Sequence, residues 1–183
     1  NPEQAVQQIL EDRRTLERIM KKQVHGFAYP NGSVSRELVR MLPAVGIHYG
    51  RTVEATHRYD LPENFLTWNP TCNYREDVVK HGREFVAWNK TKDLFMLYVW
   101  GHSYELPLDD GWNQMDTFLQ IVSGRSDIWY ATNGEIVDYL SAIRRLEFSA
   151  DCDMVYNPNF CTCWLSVDGT IRSVPGGFAV SLF

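Results

Sequence analysis

The sequence predicts an α/β fold with parallel strand pairing, followed by a small antiparallel β segment. Three observations carry that expectation. Leu94 to Val99 is an almost unbroken apolar run, too short for an ordinary helix and rich in aromatic residues, as in a parallel strand buried on both faces. Short strand-like runs alternate with amphipathic helical stretches through the first four-fifths of the chain, the pattern of a sheet covered by crossover helices. From Leu146 onward the strand-like runs follow one another without helices between them, which predicts hairpins.

Pro2 to Lys22 is the clearest helix. Asn1 can cap it, Pro2 suits the first helical position, and Glu3 lies in the first turn. Val6, Ile9, Leu10, Leu16, Ile19 and Met20 form an apolar stripe that needs a sheet to cover, yet no strand precedes it. Val24 to Tyr29 reads as a strand, broken by the turn signal Pro30-Asn31-Gly32. Ser33 or Ser35 can cap a helix that ends near Pro43, and Gly46 to Arg51 reads as the next strand. Thr52 to Asn64 is polar and loop-like. Leu66 to Thr71 is a short strand or strand end stopped by Pro70. Glu76 to Asn89 is an amphipathic helix, followed by the Leu94 strand. A helix over Trp112 to Val122, a strand over Ile128 to Ala131 and a helix over Glu135 to Arg144 complete the alternation. Strands at Glu147 to Ser149, Met154 to Tyr156, Thr162 to Val167 and Phe178 to Val180 are joined by turns at Asn157-Pro158, Asp168-Gly169 and Pro175-Gly176-Gly177.

With 183 residues the first expectation is one α/β domain, and 44% hydrophobic residues suffice for a core. The net charge of -5, with no basic cluster, argues against nucleic acid as the main partner. No apolar run approaches the roughly 20 residues of a membrane span. No signal peptide is recognisable, which leans toward a cytoplasmic setting. Cys72, Cys152, Cys161 and Cys163 form no C-x-x-C pair, which argues against structural zinc. An ordinary reduced set of thiols is a simpler reading than disulfides. Asn31-Gly32-Ser33 and Asn89-Lys90-Thr91 fit the N-glycosylation pattern, but nothing signals secretion, so both read as chance.

His102 is the first candidate for chemistry. Gly101 ends the Leu94 strand, His102 stands immediately beyond its C-terminal end, and Glu105 comes closely after. In α/β sheets and barrels that rim carries the reaction. A histidine there can instead simply hydrogen-bond a loop; other strand ends pointing to the same rim favour chemistry. The Tyr29-Pro30-Asn31-Gly32 turn can aim backbone N–H groups at a ligand, as an oxyanion hole requires, or be an ordinary turn. Trp68 can stack on a sugar face or belong to the core. His25, His48, His57 and His81 form no i, i+4 pair, so no helical metal clasp exists, and there is neither a G-x-S-x-G elbow nor a Gly-rich phosphate loop.

Gly26 to Gly32, Arg51-Thr52, Leu61-Pro62-Glu63-Asn64, Trp68-Asn69-Pro70-Thr71 and above all Tyr98 to Leu106 together resemble the polysaccharide deacetylases, carbohydrate esterase family four. The likeness is greatest to a bacterial subgroup that also carries the Ser123-Gly124-Arg125 and Thr132-Asn133 to Glu135 region. It covers most of residues 1 to 145, which would be the C-terminal portion of a distorted (β/α) barrel. Residues 146 to 183 resemble, more weakly, a small β extension found on some members. The resemblance implies a metal-dependent hydrolase that removes N- or O-acetyl groups from sugars. In that scheme a divalent ion, zinc or cobalt, activates water, and an aspartate acts as base. His102 would protonate the leaving group, and the backbone N–H of Asn31 would hold the oxyanion. Tyr29, Pro30, Trp68, Trp100 and Glu105 would contact an acetylated sugar.

Three departures shape the expectation. The family's Asp-Asp base motif and its His-x-x-x-His metal motif lie upstream of the opening helix and are not in this sequence. The family's usual arginine in its third motif falls on Ala28, and its usual tyrosine on Asn31. The expectation is therefore a deacetylase portion that holds the acid, with base and metal on a half outside this sequence. The alternatives are a carbohydrate-binding or assembly module derived from that fold, or a packing remnant. Open strand edges further predict self-association as a homo-oligomer.

Overall fold

The computed structural model describes residues 1–88, 93–108 and 110–183. The Asn89-Lys90-Thr91 pattern and the expected helix end at Asn89 lie outside the described residues. The chain divides into two compact units, one of Asn1–Trp88 with Leu94–Trp129 and one containing Tyr130–Phe183. The division falls earlier than residue 146, because the last helix packs with the β segment after it.

In the first unit, α1 (Pro2–Met20) starts where the Asn1 side chain accepts a hydrogen bond from the Glu3 N–H at 3.0 Å. It ends at Lys21, whose left-handed backbone turns its N–H onto the Glu17 carbonyl. Glu17 then ties the helix to the segment that leads into the first strand. Its carboxylate takes the Val24 N–H at 3.0 Å and the Arg13 guanidinium at 2.8 Å, and these bonds lower its pKa. Arg13 also donates to the Val45 carbonyl. The apolar stripe is used only in part: Ile9 packs on the cluster of Tyr29, Leu42 and Ile47, while Leu16, Ile19 and Met20 stay exposed.

β1 (Gly26–Ala28) leads through the Pro30–Gly32 turn to α2 (Arg36–Met41), which Ser35 caps by accepting the Leu38 N–H. β2 (Tyr49–Arg51) pairs parallel with β1, Phe27 level with Gly50. On its other side Arg51 bridges in parallel to Trp68, with the Trp68 N–H on the Gly50 carbonyl at 2.9 Å. β3 (Cys72–Asn73) pairs parallel with β4 (Val99–Trp100), and α3 (Val78–Ala87) lies between them in sequence. The parallel neighbours thus follow one another in chain order, in two short ladders joined by the Arg51–Trp68 bridge. Among the described strands none pairs with the outer edge of β1 or of β4, and no closed barrel forms. α4 (Gly111–Val122) packs on α3 through Phe118 and Val122, against Tyr74 and Val78. A groove of about 990 Å³ runs beside α1 and β1, lined by Ile9, Leu16, Phe27, Ala28 and Val34.

Three expected strands differ. Leu66 to Thr71 opens in a 3-10 turn over Phe65–Thr67 and keeps only the bridge at Trp68, with β3 following it. Leu94 to Tyr98 is extended but not doubly buried: Leu94 is exposed and the next residues are half-buried. On one side the Met96 N–H reaches the Tyr59 carbonyl at 2.7 Å, while the Thr56 and His57 N–H groups go to the Pro70 and Thr71 carbonyls. Ile128 to Ala131 is not a strand: it joins no ladder among the described residues, and β-propensity alone does not make one.

The second unit begins with α5 (Asn133–Arg144). Thr132 caps it and Glu135 reaches back to the Thr132 N–H at 2.7 Å, a reciprocal pair that lowers the Glu135 pKa. β5 (Glu147–Phe148), β6 (Met154–Tyr156) and β9 (Ala179–Ser181) form an antiparallel sheet in the order β5-β6-β9. β7 (Cys163–Val167) and β8 (Thr170–Val174) form a hairpin whose turn residues Asp168 and Gly169 both have positive φ, the twist a two-residue hairpin needs. Fully buried Asn157 is the knot of this unit. Its amide donates to the carbonyls of Cys161 at 2.9 Å and Val174 at 2.7 Å, and its side-chain oxygen accepts from Asn159. Asn159 in turn donates to the Ala142 carbonyl at 2.9 Å, tying α5 to the β strands. All four cysteines are free, Cys72 and Cys163 buried, Cys152 and Cys161 exposed.

Asn157→Ala removes a buried hydrogen bond to the Val174 carbonyl and leaves the buried Asn159 N–H without its acceptor, and is expected to cost about 2–4 kcal/mol, on the scale of unsatisfied buried polar groups. Phe178→Ala, at an exposed side chain, is expected to cost less than about 1 kcal/mol. Urea denaturation followed by circular dichroism compares the two.

Candidate functional site

The end of β4 is positioned by a close fit. A Cβ on Gly101 would stand 2.2 Å from the Tyr74 ring, so only glycine lets the chain pass that buried side chain. The Tyr74 N–H donates to the Trp100 carbonyl at 2.9 Å, which sets the ends of β3 and β4 side by side. His102 comes next with a half-exposed side chain, and a short turn over Ser103–Glu105 brings Glu105 back toward it. The Glu105 Oε2 lies 3.5 Å from His102 Nδ1 and accepts the His102 N–H at 3.4 Å. Its Oε1 lies 3.5 Å from Arg75 Nη1. The His102 ring meets Trp100 edge-on at 5.7 Å and Tyr104 at 5.1 Å. His102, Trp100 and Glu105 are therefore brought together, with Arg75 as a fourth member.

The remaining candidates separate. Tyr29 is only 2% exposed, its hydroxyl donates to the Leu66 carbonyl at 2.6 Å, and burial pushes its pKa up to about 12. Trp68 is 1% exposed, enclosed by Tyr49, Phe65 and Tyr98 at 5.0–6.2 Å. Neither ring has a free face for a sugar, so both are corrected from sugar contacts to core. Trp100 keeps its place beside His102, but the Arg51 guanidinium lies 4.3 Å over its ring, so that face is taken. Pro30 and Asn31 are exposed, and Asn31 (φ 52°) and Gly32 (φ 71°) both take the left-handed conformation that asparagine and glycine tolerate best. Among the described residues no hydrogen bond, ion pair or ring contact joins Asn31 to His102. The link is through backbone, the Tyr29 N–H donating to the Arg51 carbonyl at 3.0 Å.

Sequence reasoning missed three things. Arg51 is the last residue of β2 and Arg75 stands two residues past β3, strand-end positions like that of His102. The stretch Thr52 to Asn64, read as a loop, carries buried Tyr59 into a polar network with His81 and His57. The Tyr59 hydroxyl lies 2.9 Å from Glu84 and 3.0 Å from His81 Nδ1, while His81 Nε2 lies 3.3 Å from His57 Nδ1. If Tyr59 donates to Glu84, the order is set: His81 donates through Nδ1 to Tyr59, and His57 donates to His81 Nε2.

The zinc or cobalt implied by the resemblance finds no ligand set. Among the described residues no group of three or more His, Cys, Asp and Glu side chains could hold a metal ion. The His57–His81 pair supplies two nitrogens that already face each other.

Gly101→Ala is expected to cost about 1–3 kcal/mol by overpacking against Tyr74, read as a lowered Tm. A pH dependence arises from His81. Burial lowers its pKa, with His57 and Lys80 adding to the effect and Glu84 and Asp77 opposing it. The folded chain then binds this proton less readily than the unfolded chain. The stability contributed by neutral His81 is complete above about pH 6.5 and is lost as pH falls through the lowered folded value. Urea unfolding between pH 7.5 and 5 is expected to show that loss in the wild type and a shallower slope in His81→Asn. No protein-family model, curated protein or solved structure matches this chain.

Proposed function

We propose that this chain is the acid-bearing portion of a metal-dependent carbohydrate deacetylase, acting on N- or O-acetyl groups of sugars, with metal and base supplied by residues outside these 183. The observation that carries the reading is the imidazole of His102, half-exposed just past β4, with Nδ1 facing a Glu105 carboxylate that Arg75 holds. Glu105 occupies the Nδ1 side of the ring. Nε2 is then the nitrogen that passes a proton to a departing amine or alkoxide. Asn31, in its exposed left-handed turn, is the proposed oxyanion donor through its backbone N–H, with Pro30 beside it. No step through the ion is assigned to residues of this chain.

A second reading is a non-catalytic carbohydrate-binding or assembly module. Self-association belongs to both readings, since among the described strands none pairs with the outer edge of β1, which lies beside an apolar groove.

The test is acetate release from acetylated chito-oligosaccharides by a polypeptide that carries these residues together with metal and base motifs. His102→Gln is expected to lower kcat by about 10²–10⁴-fold with little change in KM. Glu105→Gln is expected to lower it by about tenfold, as loss of a supporting partner does. Wild-type turnover in His102→Gln would overturn the acid role. Sugar binding without acetate release in the wild type would decide for the binding module. A molar mass from light scattering that rises with concentration is the expected sign of self-association.

A further inference from the structure

Three arginines among the described residues are half-buried: Arg13, Arg51 and Arg125. Arg13 is held by Glu17 at 2.8 Å and Arg125 by Asp127 at 3.0 Å. Arg51 has no carboxylate partner among the described residues. Its guanidinium lies 4.3 Å over the Trp100 ring, and one nitrogen, Nη1, donates to the Thr52 carbonyl at 3.0 Å. A guanidinium has five N–H donors in a planar fork, so most of its capacity is uncommitted. Holding such a cation partly out of water without a counter-charge is costly, and burial accordingly lowers its pKa.

The root of the side chain is rigid. The Arg51 carbonyl accepts the Tyr29 N–H on one side, and on the other Arg51 bridges to Trp68, with the Thr52 N–H on the Trp68 carbonyl at 3.0 Å. Buried Thr52 further donates through its hydroxyl to the Asn69 side chain. The indole beneath the guanidinium is the same ring that His102 meets at 5.7 Å with the two planes 73° apart. Trp100 thus contacts both Arg51, over its face, and His102.

We infer that Arg51 is a specificity residue that binds an anionic group, a carboxylate or a phosphate, on the sugar that lies beside His102. The inference rests on the proposal that this rim binds an acetylated sugar, and it narrows that sugar to an acidic one. The fork receives two oxygens of the anion, and the fixed indole keeps the cost of ordering it low.

The test titrates three probes into the chain, read by tryptophan fluorescence and calorimetry: neutral chitotetraose, a tetrasaccharide of alternating N-acetylglucosamine and glucuronate, and N-acetylglucosamine 6-phosphate. At least one acidic probe is expected to bind about tenfold or more tighter than the neutral one, as a charge-assisted hydrogen-bond pair would give. The preference should shrink with added salt. Whichever acidic probe binds more tightly names the anion. Arg51→Gln is expected to abolish the preference and Arg51→Lys to keep part of it, since the charge remains but the fork is lost. Equal affinity for neutral and acidic probes in the wild type, no binding of either acidic probe, or a preference retained in a folded Arg51→Gln would each overturn the inference. The wild-type comparison needs no variant and stands if Arg51→Gln fails to fold. An Arg51-dependent preference, with no acetate release from any sugar by the polypeptide that carries these residues together with metal and base motifs, would support the anion site while removing the deacetylase reading.

Discussion

The first unit depends on the seating of the Tyr74 ring against Gly101. At that point β3 and β4 come so close that a single methyl group would collide with a buried aromatic side chain. The fit does two jobs. It adds Tyr74 to the cluster in which α3 and α4 meet through Val78, Phe118 and Val122. It also sets the two strand ends level, so that residues just past β3 and just past β4 face each other. Arg75 and Glu105 meet for that reason, although thirty positions separate them in sequence. The place of His102 is thus inherited from core packing, while the Ser103–Glu105 turn supplies its local contacts.

The second unit reaches order by a different route. Its sheets are small, and many large apolar side chains, among them Trp164, Ile171 and Phe178, remain exposed. Polar groups take over where apolar burial is thin. Asn157 and Asn159 lie in the interior and satisfy carbonyls of α5, of β8 and of the segment before β7. A buried amide with several partners specifies one arrangement of strands more sharply than a few methyl groups can, because any other arrangement leaves those groups unpaired.

What the sequence made legible was mostly local. Asn1-Pro2, Ser35 and Thr132 with Glu135 mark helix starts because a cap involves only residues a few positions apart. Asp168-Gly169 marks a hairpin for the same reason. His102 was legible because a glycine ended an apolar run just before it. Tyr29 and Trp68 were not, since an aromatic residue at a strand end is core or surface depending on partners far away in sequence: Leu66 for one, Tyr49 and Tyr98 for the other. Ile128 to Ala131 has the composition of a strand, but a ladder needs an edge, and composition does not say whether one is near. Arg51 was visible as a residue; its want of a carboxylate is a fact of three dimensions.

Each unit keeps one sulfur wholly enclosed, Cys72 in the first and Cys163 in the second, and burial raises the pKa of both thiols, that of Cys72 to about 12. Thiolate is the form that alkylates, so these two sulfurs are silent while their surroundings stay shut. The molecule therefore carries a separate clock for each half. Mass increments from a maleimide pulse, once the fast uptake at Cys152 and Cys161 is over, time the opening of the two halves independently in one sample.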